Sequence, residues 1–123
     1  MKEVRVDDAP SPIGPYSQAI VHGDLVFCSG QLGLDPATGV LADGAVEQAR
    51  QALKNLEAVL KGAGSSLHKA LKVTVFLTDL SSFSEMNKVY AEFFAPPFPA
   101  RTAIQVSALP KGAAVEIDVI AVR

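Results

Sequence analysis

Two charged residues stand where a reaction could use them, Arg101 and Glu116. Arg101 follows Phe98-Pro99-Ala100 and immediately precedes an apolar run that reads as a strand, so a stiff proline-containing segment fixes where its guanidinium starts. A planar five-donor fork at a strand edge suits two-point recognition of a carboxylate. Taken alone, the local pattern leans slightly toward an ordinary solvated arginine. Glu116 lies in Val115-Glu116-Ile117-Asp118-Val119, where alternation sends Val115, Ile117 and Val119 to a core and Glu116 to the other face. A carboxylate on a partly buried face can be tuned to give and take protons. An edge-strand charge of no consequence fits the same pattern equally well. Tyr16, in Ile13-Gly14-Pro15-Tyr16, and the strand end Ser29-Gly30-Gln31 place polar groups beside Gly or Pro. Most such residues serve turns.

Other chemistries are thinly represented. The chain has no glycine-rich phosphate loop of the nucleotide-binding types. His22 and His68 have no ligand spacing to each other or to Cys28, so no metal is expected. There is no nucleophile-elbow pattern, and neither histidine offers a serine an obvious partner. Cys28, the only cysteine, sits in an apolar run and reads as a small core residue. What is left is a binding protein, or an enzyme with no metal, no cofactor and no covalent nucleophile.

Composition narrows the partners. The formal net charge is −2 and the seven Lys and four Arg are scattered, which argues against nucleic acid. A single cysteine excludes an intramolecular disulfide and suits a reducing compartment. The opening MKEVRVDDAP carries no apolar stretch behind its basic residues, and no run is long enough to span a bilayer. The expectation is a cytoplasmic protein with a single domain over residues 1–123 and one hydrophobic core.

The elements that must position these residues follow from periodicity. Lys2–Val6 reads as a short strand, and Ser17–Val21 and Leu25–Ser29 as a hairpin turning at His22-Gly23-Asp24. Val46, Ala49, Leu53, Leu56 and Leu60 mark an amphipathic helix, with Asp43 as its cap and Gly62 and Gly64 as its stops. Leu71, Val73, Val75 and Leu77 alternate with Lys72, Thr74 and Thr78 in a strand. A second helix opens on the capping-box pattern Ser82-Phe83-Ser84-Glu85 and buries Phe83, Met86, Tyr90 and Phe93 before Pro96-Pro97. Thr102–Leu109 and Ala114–Val122 are the last two strands. The order β-β-β-α-β-α-β-β predicts an α+β fold, a mixed sheet with two helices on one face. The other face should carry Phe76, Ala103, Ile120 and Val122 among Thr74, Gln105, Glu116 and Asp118. That is too apolar for a solvated face, and predicts contact with another copy of the chain.

Several segments together resemble the RidA/YjgF family. They are Ile13-Gly-Pro-Tyr16-Ser17-Gln18, Cys28-Ser-Gly-Gln31, Lys72–Asp79, Asn87-Lys-Val-Tyr90, Phe98-Pro-Ala-Arg101-Thr, Leu109-Pro-Lys111 and Val115–Ala121, in the family's order and across almost the whole chain. The resemblance implies a chorismate-mutase-like fold and a homotrimer with sites in the clefts between subunits. It implies 2-iminobutanoate/2-iminopropanoate deaminase activity, which hydrolyses 2-imino acids released by pyridoxal-phosphate-dependent dehydratases to 2-keto acids and ammonia. Other activities in the family, RNA cleavage and chaperone-like holding, keep alternatives open, as does a sensor that binds 2-keto acids without turnover.

By the same resemblance Arg101 grips the substrate carboxylate and Glu116 positions or activates the attacking water. Tyr16, Ser29, Gly30 and Asn87 line the pocket. Ala103 stands where deaminase-type members have cysteine, which bears on the substrate range.

Overall fold

The period-two and period-3.6 runs resolve, in a computed structural model that describes residues 1–123, into seven strands and two helices. The elements are β1 (Lys2–Val4), β2 (Ala19–His22), β3 (Leu25–Cys28), β4 (Gln31–Leu32), α1 (Gly44–Gly62), β5 (Ala70–Leu77), α2 (Phe83–Phe93), β6 (Ala100–Gln105) and β7 (Val115–Val122). They form one sheet in the order β1-β2-β3-β7-β5-β6, with β4 added beside β7. All pairs are antiparallel except β5 with β6, which the α2 crossover makes parallel. The mixed sheet with two helices matches the predicted α+β architecture.

β7 organises the molecule. Its strict alternation buries Val115, Ile117, Val119 and Ala121 under α1, which sets Ala49, Ala52, Leu53, Leu56, Val59 and Leu60 against the sheet. Full burial of each large side chain is worth about 1.5–3 kcal/mol, so truncating Leu56 to Ala should cost about 2–5 kcal/mol.

Several expectations need correcting. β4 was not foreseen; β3 and β4 lie along the same edge of β7, with Ser29 and Gly30 between them. β6 starts earlier and ends sooner than the predicted Thr102–Leu109, so Arg101 lies inside a strand rather than just before one. Neither Asp43 nor Ser82 makes a side-chain cap; Asp79 instead accepts from the Ser81 amide at 2.9 Å, ahead of α2. Leu71 is exposed because a bulge between Ala70 and Lys72 shifts the register there. In α2, Met86, Val89 and Tyr90 are buried, with Phe94 just beyond, while Phe83 and Phe93 are only half-buried.

In β6 the alternation runs one residue out of step with the expected faces. Ala103 pairs with Val75 and Gln105 with Leu77, both core positions, so these two point to the helix side. Thr102 and Ile104 take the open face beside Thr74 and Phe76. That face does carry half-buried Phe76, Ile120 and Val122, and Leu25, Phe27 and Ile104 are 36%, 43% and 42% exposed on it. No helix is long and apolar enough to cross a membrane.

Candidate active site

Glu116 sits near one end of β7, opposite Phe76 of β5 and Leu32 of β4. It lines a cleft of about 410 Å³ with Ile13, Tyr16, Ser29, Gly30 and Leu32. Its carboxylate lies over the backbone of Gly30, where a Cβ would stand 2.1 Å from Oε2. A side chain at residue 30 would push the carboxylate out of that position. The Ser29 hydroxyl donates to the Ser17 carbonyl at 2.5 Å, so its proton is committed to structure. Burial first, and the Asp118 charge second, raise the Glu116 pKa above the usual glutamate value. Asp118 is itself raised by burial, against the opposing pull of a Thr74 hydrogen bond and of Lys72.

Buried amides hold this cleft in shape. The Gln18 side chain accepts from the Val6 amide at 2.7 Å and donates to the carbonyls of Val6, Ala9 and Pro10, fastening the segment that leads to Ile13 and Tyr16. Asn55 of α1 donates to the carbonyls of Leu32 and Leu34 at 3.1 and 2.9 Å. Gln48 accepts from the Ala114 amide at 2.7 Å and so fixes the start of β7. None of the three was foreseen, because a polar residue in an amphipathic pattern is assigned to water by default. Burial without a partner would cost each of them about 1–3 kcal/mol.

Arg101 is elsewhere. It pairs with Val73 and points to the helix side at the edge strand β6, two strands from β7 in the sheet order. Its guanidinium donates to Asn87 Oδ1 at 2.7 Å and lies over the rings of Tyr90 and Phe83, 4.7 and 5.3 Å from their centroids. Asn87, Tyr90, Phe98, Pro99 and Arg101 line a second pocket of about 360 Å³. The ion pairs of the chain are Arg50 with Glu47 and Glu92, and Lys88 with Glu85. Arg101 has no acidic partner, and Glu116 has no basic one.

One chain therefore brings Tyr16, Ser29, Gly30 and Glu116 together, and Arg101 with Asn87, but it does not unite the two groups. Ala103 packs against the core on the helix side of β6, two residues along the strand from Arg101. Cys28 behaves as a core residue, its thiol pushed up to about 12 by burial and then by Asp118. Each half offers an incomplete function: a proton-accepting group with a raised pKa on one side, an unpaired cation on the other.

Comparison with known proteins agrees with this fold. The family model described as Endoribonuclease L-PSP matches residues 6–123. A RutC family protein, y4sK, of Sinorhizobium fredii is 54% identical over 98% of this chain and 96% of its own length. The 2-iminobutanoate/2-iminopropanoate deaminase of Bos taurus is 50% identical over 99% of this chain and 90% of its own. The crystal structure of RidA from the Antarctic bacterium Psychrobacter sp. PAMC 21119 superposes with a TM-score of 0.98 at 45% identity, covering 100% of both chains.

Proposed function

The chain belongs to the Endoribonuclease L-PSP family, which the RidA proteins share, and on that premise we propose that it hydrolyses 2-imino acids to 2-keto acids and ammonia. One observation carries the reading: an unpaired arginine and an unpaired, partly buried glutamate on opposite faces of one sheet. Each half lacks what the other has. Two copies can complete each other where the Phe98 rim of one meets the Ile13 and Tyr16 rim of the next, and Phe98, Ile13 and Tyr16 are exposed for that contact. A homotrimer with one site in each intersubunit cleft also covers the open apolar face.

In this arrangement Arg101 holds the substrate carboxylate through its free guanidinium donors. Tyr16, Ser29 and Gly30 shape the pocket for a short aliphatic chain, and Asn87 steadies the arginine. A protonated imine is already electrophilic at C2, so orientation and proton management suffice. Glu116 takes a proton from water as the water oxygen bonds to C2. It returns that proton to the amino nitrogen of the tetrahedral carbinolamine. The C–N bond then breaks, Glu116 takes up the hydroxyl proton as the keto group forms, and it passes that proton to the ammonia, which leaves as ammonium and returns Glu116 to its ionised form. RNA cleavage fits less well, since each half-site contains a single charged side chain and no basic track for a phosphate backbone.

The test couples a threonine dehydratase to the purified protein and follows 2-keto acid release. A rate well above the no-protein control is expected. A rate equal to that control, with 2-oxobutanoate still bound, would leave a carboxylate-binding protein in place of an enzyme.

A further inference from the structure

α2 carries Phe83, Asn87 and Tyr90 at spacings of four and three, one stripe of the helix, and the Arg101 guanidinium lies against that stripe. The closer ring, Tyr90, is 6% exposed and stacks on Phe94 at 4.4 Å. Its hydroxyl is buried with no hydrogen-bond partner, so the ring is held by packing alone. Asn87 engages one guanidinium nitrogen, and no carboxylate neutralises the cation.

We propose that Tyr90, aided by Phe83, is a positioning residue for carboxylate recognition: the two rings hold Arg101 as an unpaired, pre-ordered cation facing the pocket beside Phe98. This rests on the reading of Arg101 as the carboxylate-binding group. An acidic partner would hold the side chain equally still, but the ligand would have to displace it. Ring faces attract the cation without neutralising it. Ordering a long side chain in advance spares the ligand that entropy loss, about two- to tenfold in affinity. The carboxylate contact persists from ground state to transition state, so the effect belongs in KM and not in kcat.

Tyr90→Leu, Tyr90→Phe and Phe83→Leu in the full-length protein test this. The readouts are kcat and KM for 2-iminobutanoate and the Kd of 2-oxobutanoate by calorimetry. Tyr90→Leu should raise KM and Kd about five- to tenfold with kcat nearly unchanged. Tyr90→Phe should recover the lost affinity, because the ring remains. Phe83→Leu, removing the more distant ring, should cost about two- to threefold. If Tyr90→Leu fails to fold, Phe83→Leu at a half-buried helix start carries the same test. The proposal is overturned if the leucine variants bind normally while Arg101→Ala does not, or if Tyr90→Phe binds as poorly as Tyr90→Leu. Arg101→Ala with normal Kd for 2-oxobutanoate would overturn the carboxylate reading itself, and this proposal with it.

Discussion

At Arg101 side chains do the holding: two rings and an amide from one stripe of α2 immobilise a cation on an edge strand. At Glu116 backbone does it. The chain steps from β3 to β4 through Ser29 and Gly30, and the bare backbone of Gly30 leaves room for the carboxylate on a strand inside the sheet. The first half-site accordingly rests on side chains that α2 presents. The second is set by the path of the main chain and by the amides of Gln18, Gln48 and Asn55 that bracket it. A binding function tolerates the first kind of support; proton transfer, sensitive to small displacements, needs the second.

Arg101→Ala should break the comparison most severely. Loss of a charged partner from a carboxylate contact costs about 2–5 kcal/mol, so imine hydrolysis and 2-oxobutanoate binding should both fall below detection. The melting temperature should fall only slightly and the oligomeric state should hold, because Arg101 pairs with no acid and gives up only the Asn87 hydrogen bond and two ring contacts. A variant that melts early yet still turns over would make Arg101 structural.

Glu116→Gln should separate the halves more cleanly. Removing a general acid–base group typically costs about two to four orders of magnitude in turnover, while 2-oxobutanoate affinity should stay near wild type. Uncatalysed imine hydrolysis is quick, so the visible loss will be smaller. Unchanged turnover in the coupled assay would return Glu116 to the role of an ordinary strand charge.

Asp118→Asn is the subtlest. Glu116 acts as a base only when ionised, so activity should fall as pH drops through its raised pKa. The Asp118 charge is the smaller cause of that rise, and removing it should move the acid limb to lower pH with little change at neutrality. A kcat profile with an unmoved acid limb would show that Asp118 does not tune the glutamate.

Where alternation was strong the sequence was read correctly. Val73, Val75 and Leu77 in β5 and the whole of β7 fell on the faces their pattern implied, and Glu116 with them. In β6 the run Ala100-Arg101-Thr102-Ala103-Ile104 alternates weakly, and a period of two fails completely when displaced by one residue. Pairing with β5 decides the matter and turns Ala103, like Arg101, toward the helices. The bulge that exposes Leu71 and the buried amides of Gln18, Gln48 and Asn55 are tertiary facts with no local signature. The candidate residues were legible one by one. Their separation into two half-sites followed from no residue pattern and was implied only by the family resemblance, because it depends on which face each strand presents.

That separation is also the most direct point of attack. Arg101→Ala and Glu116→Gln chains, each impaired alone, can be unfolded together in equal amounts and refolded as mixed oligomers. In a trimer with its sites between neighbours, every mixed assembly contains one cleft with an intact Arg101 on one side and an intact Glu116 on the other. Random mixing then restores about a quarter of the wild-type sites. That fraction of wild-type imine hydrolysis is expected in the refolded mixture. Mixed trimers, verified by mass, with no activity above the two parents would place both residues of each site in one chain and contradict it.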